Sequence, residues 1–100
     1  MKRWYKGNLH SHTTNSDGVW TPEQSAKNYR DAGYSFLCFS DHDLYTDYRR
    51  ELGKKNFLIL PGVEATAVLF DDEGNTVRLH HMNGILGTET VSYTHLTLPT

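Results

Sequence analysis

The stretch "TPEQSAKNYRDAGYSFLCFSDHD", residues 21–43, decides the fold because it joins a helix pattern to a buried strand with a polar end. Thr21 is a good N-cap, and Gln24 lies three residues later, as a capping box requires. Pro22 suits the first helical position, so we predict a helix over residues 22–32. The apolar run that follows is typical of a strand buried on both faces, and it ends abruptly in "DHD".

Similar segments lie on both sides of this stretch. Residues 3–10 predict a first strand, and residues 56–65 predict another apolar strand, with a short helix over residues 44–53 before it. Strand, helix, strand, helix and strand in succession indicate a parallel α/β sheet or barrel. Residues 66–86 predict a hairpin, because two extended segments flank the turn sequence "DDEGN".

The composition excludes several classes of protein. With 100 residues, of which 37% are hydrophobic, the chain is at most one small domain with a lean core. The net charge of −2 gives no sign of a nucleic-acid-binding surface. Cys38 is the only cysteine, so a disulfide scaffold is excluded, and its apolar neighbours predict an inert thiol. Without a membrane-spanning run or signal peptide, we expect a cytoplasmic protein, and its oligomeric state stays open.

The last ten residues, "VSYTHLTLPT", do not continue the pattern. They resemble translated library-adaptor sequence, so we expect residues 1–90 to be an incomplete domain and residues 91–100 to be a non-native tail. His95 is therefore discounted as a ligand.

Two histidines follow the first predicted strand. Side chains alternate faces along a strand, so His10 and His12 point the same way and suit one metal ion. A His-x-His pair alone is weak evidence, but carboxyl ends of strands are where α/β folds place their sites. Asp17 can add an oxygen ligand, or it can belong to an Asp-Gly turn.

The next two strands also end in polar residues. Either neighbouring carboxylate, Asp41 or Asp43, can orient His42 by accepting its second N–H, and Asp43 can instead be an N-cap. Glu64 follows a buried strand, where a carboxylate needs a partner or a metal unless it is exposed.

A fourth set of candidates lies in the predicted hairpin. His80 and His81 are adjacent, so they face opposite sides and one of them points inward. Successive strands thus end in His-x-His, Asp-His and Glu, with another histidine nearby. More ligands than one ion can use indicate a multinuclear site.

The motifs "HSHTTNSDG", "FSDHD", "PGVE" and "HHMNGI" resemble, in order and spacing, the first four motifs of the PHP (polymerase and histidinol phosphatase) superfamily, over residues 4–87. The chain looks most like the stand-alone phosphoesterases of that family. The resemblance implies an α/β fold, the truncated N-terminal part of a distorted seven-stranded (β/α) barrel. It also implies up to three divalent metal ions, which are zinc, manganese or iron.

Carried over to this chain, the family's motifs imply six ligands: His10, His12, Asp17, His42, Glu64 and His81. His10 and His12 would share the first metal with Glu64, which bridges to the second. The second would take His81, since "HMNGIL" fits the family's pattern better than a register starting at His80. Asp17 and His42 would hold the third, and Asp41 would orient the site from outside it.

The implied activity is hydrolysis of a small phosphomonoester, such as a nucleotide or histidinol phosphate, by a hydroxide held between metals. A phosphodiester is the second choice of substrate. The alternatives are a non-catalytic metal-binding PHP module and an inactive fragment, because the family takes further ligands from later strands that this sequence lacks. We expect the chain alone to be inactive.

Overall fold

The computed structural model describes residues 3–86 and, for the backbone alone, residues 95–99. It has mixed helix and strand, in the order β1 (Gly7–Asn8), α1 (Pro22–Asp31), β2 (Phe36–Cys38), α2 (Arg49–Leu52), β3 (Leu58–Leu60), β4 (Gly62–Phe70), β5 (Thr76–Ile85) and β6 (His95–Pro99). The strands of the described residues form two three-stranded sheets, and these residues close no barrel. The same part of the chain contains no helix that is long and apolar enough to cross a membrane.

Helix α1 spans Pro22–Asp31, which confirms the predicted helix to within one residue. The Thr21 side chain accepts a hydrogen bond from the Gln24 backbone, and the Gln24 side chain accepts one from the Thr21 backbone. Gly33 follows the helix with a φ of 90°, a left-handed conformation that glycine adopts without strain. Local signals therefore define both ends of this helix.

The first sheet is parallel, in the order β1-β2-β3, and consists of Gly7–Asn8, Phe36–Cys38 and Leu58–Leu60. One face of it packs on α1. The main hydrophobic cluster contains Ala26, Leu37, Phe39, Phe57 and Ile59, with Tyr29, Tyr34, Tyr48 and Leu52 packed against them. The predicted alternation of strands with helices is present, although α2 is a single turn, Arg49–Leu52, which ends at Gly53.

Two predicted strands are shorter than expected. The prediction of a strand over residues 3–10 was wrong in length, since β1 covers only Gly7–Asn8. Just beyond the end of β1, the Asn8 side chain accepts a hydrogen bond from the His10 backbone. His10 and His12 therefore follow the strand and are not part of it. The strand predicted over residues 56–65 is interrupted at Pro61, which has no N–H to donate.

The second sheet contains the predicted hairpin. Strand β4, Gly62–Phe70, pairs antiparallel with β5, Thr76–Ile85, around a turn in which Asp71 accepts hydrogen bonds from two backbone N–H groups. Strand β6, His95–Pro99, pairs with β4 in parallel. The expected tail falls partly on β6, while residues 87–94 and 100 lie outside the described residues.

Candidate metal centre

The six predicted ligands come together at the carboxyl ends of the parallel strands. His10, His12 and Asp17 follow β1, and His42 follows β2. Glu64 lies near the start of β4, where it forms an isolated parallel bridge with His42. His81 reaches the same place from β5, because it pairs with Thr66, two residues beyond Glu64.

Glu64 is the centre of the cluster, and it is 3% exposed. Its Oε1 lies 2.6 Å from Nε2 of His10 and 3.0 Å from Nε2 of His12. Its Oε2 lies 3.0 Å from Nδ1 of His81 and 3.8 Å from Nδ1 of His42. Burial by itself raises the pKa of this carboxyl, but the hydrogen bond and charge of His10, with the charges of His42 and His12, outweigh it and lower the pKa.

The potential ligand atoms fall into three groups, each within a span of 4.8 Å. The groups are His10, His12 and Glu64; His12, Asp17 and His42; and His42, Glu64 and His81. Each group shares one residue with each of the others, so the six side chains form one continuous cluster. Such sharing is what closely spaced ions require of their ligands.

Several potential ligand atoms converge on one point of the cluster. Nε2 of His10 and Nε2 of His12 are 3.1 Å apart, and both face the same oxygen of Glu64. Three lone pairs that converge in this way repel unless a proton or a cation lies between them. In addition, Nδ1 of His12 is buried without a hydrogen-bond partner among the described residues. Imidazole and carboxylate are ligands that zinc, iron and manganese accept.

Asp17 is the most exposed member of the cluster, with a side chain 67% exposed, and His42 is the nearer of the two histidines that it faces. Oδ2 of Asp17 lies 3.2 Å from Nε2 of His42, and its Oδ1 lies 3.7 Å from Nδ1 of His12. The rings of His12 and His42 are stacked, with centroids 4.4 Å apart. Asp17 therefore lies in a turn and also faces the cluster, so the turn and the ligand interpretations of this residue are compatible.

The choice between the two adjacent histidines follows from the register of the hairpin. His81 lies opposite Thr66 and contacts Glu64, whereas His80 lies opposite Ala67 and so faces the other side of the sheet. Both histidines are exposed, so neither of them points into a core. The structure brings the preferred one to the cluster.

The surroundings of Asp41 and Asp43 differ from those expected. Asp41 is fully buried, and both of its carboxylate oxygens accept hydrogen bonds from residues 13–16; its side chain therefore holds that turn, not the ring of His42. Asp43 caps no helix, because α2 begins only at Arg49. It has a φ of 53°, and its Oδ1 accepts a hydrogen bond from the Thr66 backbone at 3.1 Å.

The hydrogen-bond partners of Asp41 are residues to which the sequence motifs assigned no role. They are Thr13 and Ser16, which lie between the predicted ligands His12 and Asp17. The signal in the sequence was the run of hydroxyl side chains there, which exceeds what a simple turn needs.

Comparisons of this chain with protein families, with curated proteins and with solved structures found no match.

Proposed function

We propose that this chain carries the metal centre of a metal-dependent phosphoesterase that hydrolyses a small phosphomonoester, such as a nucleotide or histidinol phosphate. One observation carries the proposal: the buried carboxylate of Glu64 lies against four histidines, and Asp17 faces two of them. The motif resemblance to the PHP superfamily and its barrel supports the reaction class.

The proposed roles follow the three groups of ligand atoms. His10, His12 and Glu64 would hold one ion, Glu64 and His81 a second, and Asp17 and His42 a third. Ions bound there would supply a water with a pKa of about 7 and positive charge for the phosphoryl oxygens. Up to three ions of zinc, manganese or iron fit this donor set.

The geometry of the cluster suits both the binding of ions and the approach of a substrate. The two oxygens of Glu64 point to different histidines, so one carboxylate can contact two ions, which a neutral imidazole cannot do. The side chains of His10 and His81 are about half exposed, at 50% and 49%. The cluster is therefore open on one side, where a small phosphate ester can approach.

The experiment combines metal binding with turnover on the same preparation. The metal-free chain is titrated with Zn²⁺ and with Mn²⁺ in a calorimeter, and phosphate release from p-nitrophenyl phosphate is then measured with each metal and with EDTA. Binding with metal-dependent release supports the proposal. Binding without release favours the non-catalytic metal-binding module or an inactive fragment, and the absence of binding refutes the metal centre.

A further inference from the structure

We infer that Asp41 is a positioning residue that holds residues 13–18 against the metal centre, so that Asp17 faces His42. The inference rests on the metal centre of the proposed function. Asp41 is not exposed at all, and a buried carboxylate is costly unless it is hydrogen-bonded. We call residues 13–18 the ligand turn, since Asp17 lies in it and His12 directly precedes it.

Three hydrogen bonds join the ligand turn to Asp41. Oδ1 of Asp41 accepts from the Thr13 backbone at 2.6 Å and from the Ser16 hydroxyl at 2.8 Å. Its Oδ2 accepts from the Thr13 hydroxyl at 2.9 Å. Two residues of the ligand turn thus donate to one buried carboxyl group, so Asp41 fixes both Thr13 and Ser16.

The ligand turn is also closed on itself, so fixing its two anchor residues fixes Asp17. The Thr13 carbonyl accepts from the backbones of Ser16 at 3.0 Å and Gly18 at 2.9 Å, the residues on either side of Asp17. A Cβ at Gly18 would lie 2.3 Å from the His12 carbonyl oxygen, which shows how tightly the turn folds back. Asp17 has an exposed side chain and is therefore placed mainly by its backbone.

Asp41 also connects the ligand turn to the rest of the centre. It directly precedes His42, and its carbonyl accepts from the Glu64 backbone at 3.0 Å. By contrast, the group of His42, Glu64 and His81 is held by the pairing of β4 with β5, which does not involve the ligand turn. Loss of the Asp41 carboxylate should therefore weaken the ion held by Asp17 more than the ion next to His81.

The test uses Co²⁺ as a spectroscopic probe of the ligand set in the full chain. Asp41→Asn keeps the shape of the side chain and one acceptor, but an NH₂ group that cannot accept takes the place of the oxygen to which the Thr13 hydroxyl donates, so this hydrogen bond is lost as it stands. We expect one Co²⁺ to bind about 10–100-fold more weakly, the usual effect of losing a partner that orients a ligand. The other Co²⁺ sites should keep their affinity.

Reference variants make the outcome specific. Asp17→Ala should change the Co²⁺ spectrum in the same way, because it removes the ligand that Asp41 positions. Ser16→Ala removes one of the three hydrogen bonds and should give a smaller loss in the same direction; it decides the question if Asp41→Asn does not fold. Asp47→Asn, which removes a carboxylate bound to Arg49 outside the centre, should bind Co²⁺ as the wild type does.

Two results would overturn the inference while leaving the proposed metal centre in place. One is that Asp41→Asn and Ser16→Ala keep the wild-type Co²⁺ stoichiometry and spectrum. The other is an equal weakening of every Co²⁺ site, since Asp41 would then act only through the stability of the fold. If the wild-type chain binds no Co²⁺ at all, the metal centre and the inference fail together.

Discussion

Glu64→Gln is the substitution that tests the metal centre most directly. Gln has nearly the same shape as Glu, so the packing around this 3% exposed side chain should be kept. The substitution removes the negative charge and replaces one of the two oxygens with an NH₂ group. Each oxygen of Glu64 contacts histidines, at 2.6 Å and 3.0 Å on one side and at 3.0 Å and 3.8 Å on the other, so either orientation of the amide disturbs one group of ligands.

The expected size of the effect follows from these contacts. Losing a residue that only orients a ligand costs about 10–100-fold in metal affinity, and Glu64 belongs to two of the three groups of potential ligand atoms. We therefore expect Glu64→Gln to lower the affinity for Zn²⁺ more than about 100-fold, or roughly 2.7 kcal/mol at 25 °C. Any metal-dependent turnover should disappear with the metal.

The assay is competition of the chain with a chromophoric chelator for Zn²⁺, with Glu73→Gln as the matched control. Glu73 undergoes the same chemical change, but it is exposed in the turn between β4 and β5 and belongs to none of the three ligand groups. Glu73→Gln should bind Zn²⁺ as the wild type does. If Glu64→Gln binds Zn²⁺ within about threefold of Glu73→Gln, the assignment of Glu64 as the shared ligand is refuted.

The remaining predictions concern the fold that supports the centre. Burial raises the pKa of the Cys38 thiol from 9.0 to about 11. As the pH rises, the thiol therefore ionises in the unfolded chain before it ionises in the folded one. The free energy of unfolding should fall by about 2 kcal/mol between pH 8 and pH 11. Urea unfolding should show this fall relative to Cys38→Ala; parallel pH profiles would contradict it. Ile59→Ala should cost about 2–5 kcal/mol by urea unfolding, whereas Leu58→Ala, at a side chain 56% exposed, should cost under about 1 kcal/mol; equal costs would refute the burial argument. Thr21→Ala should cost about 1 kcal/mol in the same assay, and no change would mean that the capping box contributes nothing.

The sequence predicted best what local interactions determine. The bounds of α1 follow from Thr21, Pro22 and Gln24, which act within one turn of the helix. The hairpin was also predictable, because the residues of its turn bond to one another. The length of β1 was not predictable, because side-chain alternation does not show how many residues pair with the neighbouring strand, and only Gly7 and Asn8 do so.

The position of the candidate site could be predicted, but the contacts within it could not. The carboxyl ends of parallel strands meet at one edge, so ligands after β1 and β2 were expected to lie close together. The choice of His81 over His80 depends on the register of β5 against β4. The role of Asp41 depends on Thr13 and Ser16, which lie 28 and 25 residues away in the sequence, and pattern reading gives no rule for such contacts.

The hairpin of β4 and β5 has one end at the candidate site and the other at an exposed turn. Its tip after Phe70 lies six residues along β4 from Glu64, or roughly 20 Å at about 3.3 Å per residue. Gly74 at that tip has open space around it. The turn is therefore a suitable place to graft a fluorophore or an affinity tag, because a label there extends into solvent while β4 continues directly to Glu64 in the candidate metal centre.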